Sequence, residues 1–313
     1  MTSTFLALLH NLHVSENLGG GDRIGEALRI TNDRLVVERL IPQPFRPMLG
    51  QLEATALLSG QLVAFSVAPI PHDMSPQQFL ISHLYDVQAL LAALWICEDN
   101  SVNTELGFLL HTVNGIAAAE SNFIGLRYSN SSGSEELLNL TRDELRVVRD
   151  LHRSFLGRPD HPFQSPVTQV SSESQRVSRS LYFIGAARHT SDLGIKIAHY
   201  CTAYETLFST AQTELAHQLS ERVACFLSTD LLERQALYKQ VKNAYGIRSK
   251  VVHGSVLAGT KLSGLVDCSR QCDSIARRIF LAILEDSTKR ALFSMNASEF
   301  DDELLRLILH GAS

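Results

Sequence analysis

The sequence lacks a clean transmembrane run, a paired-cysteine motif and a zinc-binding histidine pattern, and each absence removes a class of protein. The longest apolar run, Val87 to Cys97, is interrupted by Gln88 and followed by Glu98 and Asp99. It is shorter than the ~20 residues a membrane-spanning helix needs, so a core helix and no membrane association are expected. Met1 to Asn11 carry no Lys or Arg and run into polar sequence without a small-residue cleavage pattern, so no secretory leader is expected. The five cysteines (Cys97, Cys201, Cys225, Cys268, Cys272) are odd in number and form no Cys-x-x-Cys. They are expected to be free thiols in a reducing, cytoplasmic compartment, with Cys268 and Cys272 on one buried helical stripe. The twelve histidines show no zinc spacing: His10 and His13 have no acid at ligand distance along the chain, and His189 and His199 sit ten apart on a helical pattern. Gly259-Thr260-Lys261 lacks the upstream glycine frame of a phosphate loop, and there is no Gly-x-Ser-x-Gly elbow. No metal and no cofactor are therefore expected. Internal repeats and low-complexity tracts are absent as well.

What remains is a chain of 313 residues, 45% hydrophobic and 19% charged, enough for two domains that each bury a core. Its net charge of −5 is unevenly spread. Residues 1–134 hold 6 basic and 12 acidic side chains, and residues 135–313 hold 22 and 21. From Arg234 to Val266 there is no acid, while Arg234, Lys239, Lys242, Arg248, Lys250 and Lys261 give a local charge of +6. A field of one sign and that size attracts phosphate.

Residues 1–75 read as short strands, Phe5 to Leu9, Leu35 to Ile41 and Leu62 to Val67, punctuated by Gly- and Pro-rich turns. Ser75-Pro76 with Gln78 predicts a capped helix start, followed by apolar residues at helical spacing. Leu106 to Val113 and Ile116 to Leu126 predict a hairpin at Asn114-Gly115. Ser129 to Ser134, small and polar, predicts a flexible linker between an acidic α+β domain, residues 1–134, and an all-α domain, residues 135–313. In the second domain helices are expected over Glu135 to Leu156, closed by Gly157, Pro159 and Pro162, and over a long span from Ser172 to Ser209. That span places Ile197, Cys201, Tyr204 and Phe208 on one stripe. Further helices are expected over Thr213 to Leu227, Leu231 to Tyr245, Arg248 to His253 (closed by Gly254 as a left-handed cap), Leu262 to Leu284 and Ser298 to Leu309.

Within the acid-free stretch, Arg248 and His253 are separated by four residues. A guanidinium is a permanent cation whose planar donors match a phosphate, and an imidazole exchanges protons near neutrality. Metal-free RNA cleavage needs both functions, one moving protons at the 2′-hydroxyl and the leaving oxygen, the other stabilising charge on the phosphorane. Five residues on a regular helix correspond to about 140° of rotation, so either the helix ends or bends between the two residues, as Gly254 partly suggests, or a second chain completes the site, which is the preferred expectation. A two-fold dimer sets the segment beside its copy, and it also concentrates the basic stretch into a groove. Glu205 sits at the edge of the apolar stripe, four residues after Cys201, where a carboxylate needs a cation or a backbone donor.

The string Tyr245-Gly246-Ile247-Arg248-Ser249-Lys250-Val251-Val252-His253-Gly254 resembles the signature of HEPN domains of the ApeA-like type, Tyr-x-x-Arg-Ser-Lys-x-x-His-Gly within an Arg-x4–6-His motif. Tyr204-Glu205-Thr206-Leu207-Phe208 resembles that family's acid-bearing helix, and Glu214 to Leu227 the helix after it. The resemblance covers roughly residues 135–313. One departure is Gly246, where the family often has Asp or Asn. The resemblance implies a HEPN-like helical bundle forming a homodimer. It also implies a metal-independent endoribonuclease of toxin or antiviral type acting on RNA, with Arg248 and His253 catalytic and Glu205 as the helix acid. Tyr245, Lys250, Ser249, Lys242 and Lys239 are then the expected RNA contacts. Some members bind RNA or nucleotides without cutting. The first domain is expected to sense or recruit an unknown trigger.

Overall fold

Alternation along the first strand decides the architecture of the N-terminal part. In β1 (Thr2–Leu8), Phe5 and Ala7 point to one side and Leu6 and Leu8 to the other, and all four are buried. A strand buried on both faces belongs in the middle of a covered sheet. The computed structural model describes residues 2–154, 175–210 and 215–309, and these divide into two units, residues 2–128 with 135–154 and residues 129–134 with 175–309.

In the first unit the chain forms β1, β2 (Leu12–Val14), β3 (Asp22–Arg23), β4 (Arg29–Thr31), α1 (Arg34–Leu40), a 3-10 turn over Gln43–Met48 and α2 (Gln51–Leu57). It continues through β5 (Val63–Pro69), α3 (Pro76–Cys97), β6 (Thr104–Val113), β7 (Ile116–Leu126), β8 (Leu138–Leu140) and α4 (Arg142–Ser154). Six strands make one antiparallel sheet in the order β3-β4-β5-β1-β6-β7, with Phe5 opposite Ser66 and Leu109. β2 and β8 pair in parallel. On one side of the sheet Phe5, Ala7 and Leu109 pack with Leu80, Leu84, Val87 and Leu91 of α3 and with Leu145 and Val148 of α4. On the other side Leu6, Leu8, Val63 and Phe65 pack with Val37 and Leu57. The helix lies so close to the sheet that a Cβ on Gly107 would meet Leu84 Cδ2 at 2.6 Å.

α3 begins with the expected capping box, Gln78 N–H donating to Ser75 Oγ (3.2 Å) and Ser75 N–H to Gln78 Oε1 (2.9 Å). Its 22 residues are long and apolar enough to cross a membrane, more than the expected run allowed, but 61% of its most apolar window is buried within the protein. It is the core helix of the first unit. The β6–β7 hairpin turns at Asn114 (φ 52°) and Gly115 (φ 80°) as expected, the positive angles suiting a tight turn between twisted strands.

Five local expectations are corrected. The expected strand Leu35 to Ile41 is helix α1 as far as Leu40, because Asp33 Oδ1 accepts from the backbone N–H of Leu35 and Val36 and outweighs the strand preference of Val36 and Val37. The helix expected from Glu135 starts at Arg142, after β8, and its apolar face joins the first unit's core, so the boundary at 134/135 does not match the packing. The 129–134 segment is not a loose linker. Lys196, fully buried, donates to Ser129 Oγ (3.0 Å), Ser269 donates to the Ser131 carbonyl (2.6 Å), and Asn130 Oδ1 accepts from Ser132 and Ser134 backbone N–H. Its side chains are small enough to be enclosed, and their hydroxyl and amide groups find partners.

The second unit is helical among its described residues: α5 (Arg176–His189), α6 (Leu193–Phe208), α7 (Leu215–Leu227), α8 (Leu231–Val252), α9 (Thr260–Ser263), α10 (Leu265–Glu285), α11 (Ser287–Leu292) and α12 (Ala297–Leu309). The fourth correction is here: the single long helix expected up to Ser209 is two. Asp192 Oδ1 caps α6 by accepting from Ile195 N–H at 2.9 Å. The expected helix stop at 157–162 and the starts at Ser172 and Thr213 lie outside the described residues. The fifth correction is that the separate helices expected over Leu231 to Tyr245 and Arg248 to His253 are one, because α8 runs through Gly246 without a break. A mid-helix glycine costs about 1 kcal/mol, less than burying Leu237, Val241, Ala244 and Ile247 on one stripe returns. The stripe Ile197, Cys201, Tyr204 and Phe208 of α6 is buried as expected, and Cys268 and Cys272 are buried free thiols on α10.

Candidate functional site

α8 positions the expected residues by its buried stripe. With Leu237, Val241, Ala244 and Ile247 facing inward, rotation of about 100° per residue puts Arg248 on that inward side and Tyr245 at its edge. Lys239, Lys242, Ser249, Lys250 and His253 fall on the outward side, within about 100° of one another. Arg248 Nη2 donates to Glu205 Oε2 at 3.3 Å. The two side chains keep 24% and 16% of their surface exposed, so the pair is largely desolvated yet still reached by solvent. Arg248 Nη1 donates weakly to Tyr245 Oη at 3.5 Å, and the guanidinium carbon lies 5.2 Å from the Tyr245 ring centre. Among the described residues Glu205 Oε1 and Arg248 Nε are buried with no hydrogen-bond partner, so both ends of the ion pair hold unused capacity.

The electrostatics follow from this pair. Burial, together with the Glu205 carboxylate, pushes the Tyr245 phenol up to about 12, while the Arg248 cation acts in the opposite direction. Under the pair, burial pushes the Cys201 thiol up, with Cys268 and Glu205 adding to it and Arg248 opposing. Tyr245 is therefore a neutral donor at physiological pH, and Cys201 is an inert core thiol.

His253 is the C-cap of α8. Gly254 follows at φ 69°, its N–H donating to the Val251 carbonyl (3.1 Å), while Ser255 N–H donates to the Lys250 carbonyl (2.8 Å). These two bonds make the left-handed helix closure expected of Gly254. They hold the His253 backbone and leave its side chain exposed. Among the described residues no hydrogen bond or ion pair joins His253 to Arg248 or Glu205. The structure thus brings together Glu205, Arg248 and Tyr245, and places His253, Lys250, Lys242 and Lys239 on a separate outward face.

Along that face Lys242 Nζ lies 3.3 Å from Tyr238 Oη and 5.3 Å from the Tyr238 ring centre. Tyr238 and Lys239 line a shallow cleft between α7 and α8 with Arg234 and Cys225. Tyr238 was absent from the expected set. The signal for it is its position four residues before Lys242, a pair that meets on one helix face. No three His, Cys, Asp or Glu side chains among the described residues converge as a metal ion would require. Set against known proteins, the chain matches no family model, no curated protein and no solved structure.

Proposed function

We propose that the helical unit is a HEPN-type endoribonuclease that cleaves RNA without a metal ion, at a site completed by the second chain of a two-fold dimer. The observation that carries this reading is the Arg248–Glu205 pair at 3.3 Å, partly open to solvent, with Arg248 on the same short segment as an exposed His253. Glu205 holds the guanidinium in place, and the part of the side chain still open to solvent is what phosphate oxygens would reach. The rotation between Arg248 and His253 is why the second chain is needed: two-fold pairing of the α8 C-terminal ends sets one chain's imidazole against the other's guanidinium.

In the proposed reaction one imidazole takes the proton of the 2′-hydroxyl, and the 2′-oxygen forms a bond to phosphorus. The bond from phosphorus to the 5′-oxygen breaks, and that oxygen takes the proton back from the same imidazolium. The products are a 2′,3′-cyclic phosphate and a 5′-hydroxyl. Arg248 stabilises the charge that grows on the non-bridging oxygens. Tyr245, Ser249, Lys250, Lys242 and Lys239 hold the backbone, and the acidic first unit senses or recruits a trigger. A cytoplasmic role in antiviral defence or as a toxin belongs to the same proposal.

RNA incubated with the full chain in excess chelator tests it. Cleavage to cyclic phosphate ends is expected, with loss in Arg248→Ala and His253→Ala. Equal cleavage by wild type and both variants, or cleavage only on adding metal, contradicts it. A second reading, a dimer that binds RNA or a nucleotide without cutting, is favoured by one observation: Glu205 already neutralises Arg248. Salt-sensitive RNA retention with no product would decide for that reading.

A further inference from the structure

In the first unit α4 carries Arg142, Arg146, Arg149 and Arg153 at positions i, i+4, i+7 and i+11. At 3.6 residues per turn these four fall within about 60° of one another, on the flank next to the buried Leu145 and Val148. That flank faces β3. Between them lies a cleft of about 190 Å³ lined by Asp22, Arg23, Arg142, Arg146 and Arg149, with the buried Ile24 and Leu145 as its floor. Four guanidinium groups against one carboxylate leave the lining at +3.

The cations are not consumed by their present partners. Arg142 is fixed by Asp22, its Nε donating to Oδ2 at 2.7 Å and its Nη2 to Oδ1, which orients the group and leaves further N–H donors. Arg146 and Arg149 pair with Asp143 and Asp150, which are 84% and 63% exposed. Such solvent-facing pairs are weak and readily exchanged for a stronger anion. Arg23 has no ion pair among the described residues, and it stands directly opposite Arg29 across the β3–β4 ladder. Like charges in that register repel, and a bound anion relieves them. Every cation of this unit is an arginine, since the first lysine of the chain is Lys196. The forked guanidinium suits phosphate oxygens.

We propose that this cleft binds the diphosphate group of a small phosphorylated molecule. A diphosphate ester carries about −3 once its terminal phosphate, with a pKa of roughly 6, has ionised, which matches the lining charge. The cleft is smaller than the ~300 Å³ at which pockets for whole organic ligands begin, so it encloses the phosphates and leaves the rest of the molecule outside. No aromatic side chain lines it to stack a base, which separates it from a single-stranded nucleic-acid groove. The site stands in the other unit and is independent of the ribonuclease reading.

Calorimetric titration of the full chain with inorganic pyrophosphate, orthophosphate and a ten-nucleotide single-stranded DNA tests it. The DNA has backbone phosphates but no 2′-hydroxyl. One pyrophosphate per chain is expected, bound more tightly than orthophosphate and not displaced by the DNA. Arg23→Ala and Arg146→Ala, both at exposed positions, should each weaken pyrophosphate about tenfold, as loss of a charge-assisted bond does. Arg39→Ala, on α1, should leave it unchanged, and thermal melting should show all three variants folded. Failure to saturate at millimolar pyrophosphate, equal affinity in wild type and the two cleft variants, or displacement of pyrophosphate by the DNA would each overturn the proposal.

Discussion

α3 and α8 are each 22 residues long and are put to opposite uses. α3 buries eleven side chains and carries one charged residue, Asp86; α8 buries four and carries six. A helix wrapped by sheet and helix spends its whole circumference on packing. A helix with a single buried stripe keeps the remainder for chemistry, and here that remainder is basic. Side chains of α3 should therefore govern stability, and those of α8 should govern what the protein binds.

The largest effect on folding is expected in α3. Leu91→Ala, at a fully buried position, should cost about 2–5 kcal/mol through lost burial and a residual cavity, read from the denaturant midpoint. A cost under 1 kcal/mol would break the contrast. Next is the end of α8. Gly254→Ala forces a Cβ into a left-handed backbone at φ 69° and should cost about 1 kcal/mol, while reducing RNA cleavage further than that loss explains because His253 moves with the cap. Smallest in stability is Lys242→Ala, within about 0.5 kcal/mol of wild type. It should weaken RNA binding across sequences and lower the salt slope by about one.

The pair at the inner edge of α8 gives a pH signature. The Tyr245 pKa is raised in the folded protein, to about 12, above an unfolded value of about 10. Its contribution to stability is complete below pH 10 and is lost as pH rises through 12. Glu205→Gln removes the carboxylate's part of that rise and should bring the phenol part of the way back, since burial and Cys201 remain. Ultraviolet titration against a Tyr245→Phe reference reads the shift. An unchanged pKa would mean the carboxylate does not act on the ring.

Several elements were legible because their signals are local. Ser75 and Gln78 announce the α3 cap, Asn114-Gly115 the hairpin, Gly254 the end of α8, and the spacing of Ile197, Cys201, Tyr204 and Phe208 the buried stripe of α6. The errors came where the deciding interaction is distant or too brief for a period to show. Seven residues of α1 hold two adjacent valines, and only the Asp33 cap reveals the helix. The apolar face of α4 is plain in sequence, yet which core it joins depends on β2–β8 pairing and on α3. The polar segment 129–134 reads as flexible until Lys196, far along the chain, closes on it. Within the candidate site, the need of Glu205 for a cation or a backbone donor was legible from its place at the edge of the stripe, and the partner it finds is the cation Arg248. The cleft beside the α4 arginines was not legible, because β3 is more than a hundred residues away in sequence.

The central claim is that Arg248 of one chain and His253 of the other act on one phosphodiester. Co-expressing Arg248→Ala with His253→Ala and assaying RNA cleavage in excess chelator tests it most directly. Each variant alone should be inactive, and the mixture should recover about a quarter of wild-type activity, since half the dimers are mixed and each holds one intact site of two. A mixture as inactive as either variant, beside an active wild type, would contradict the account.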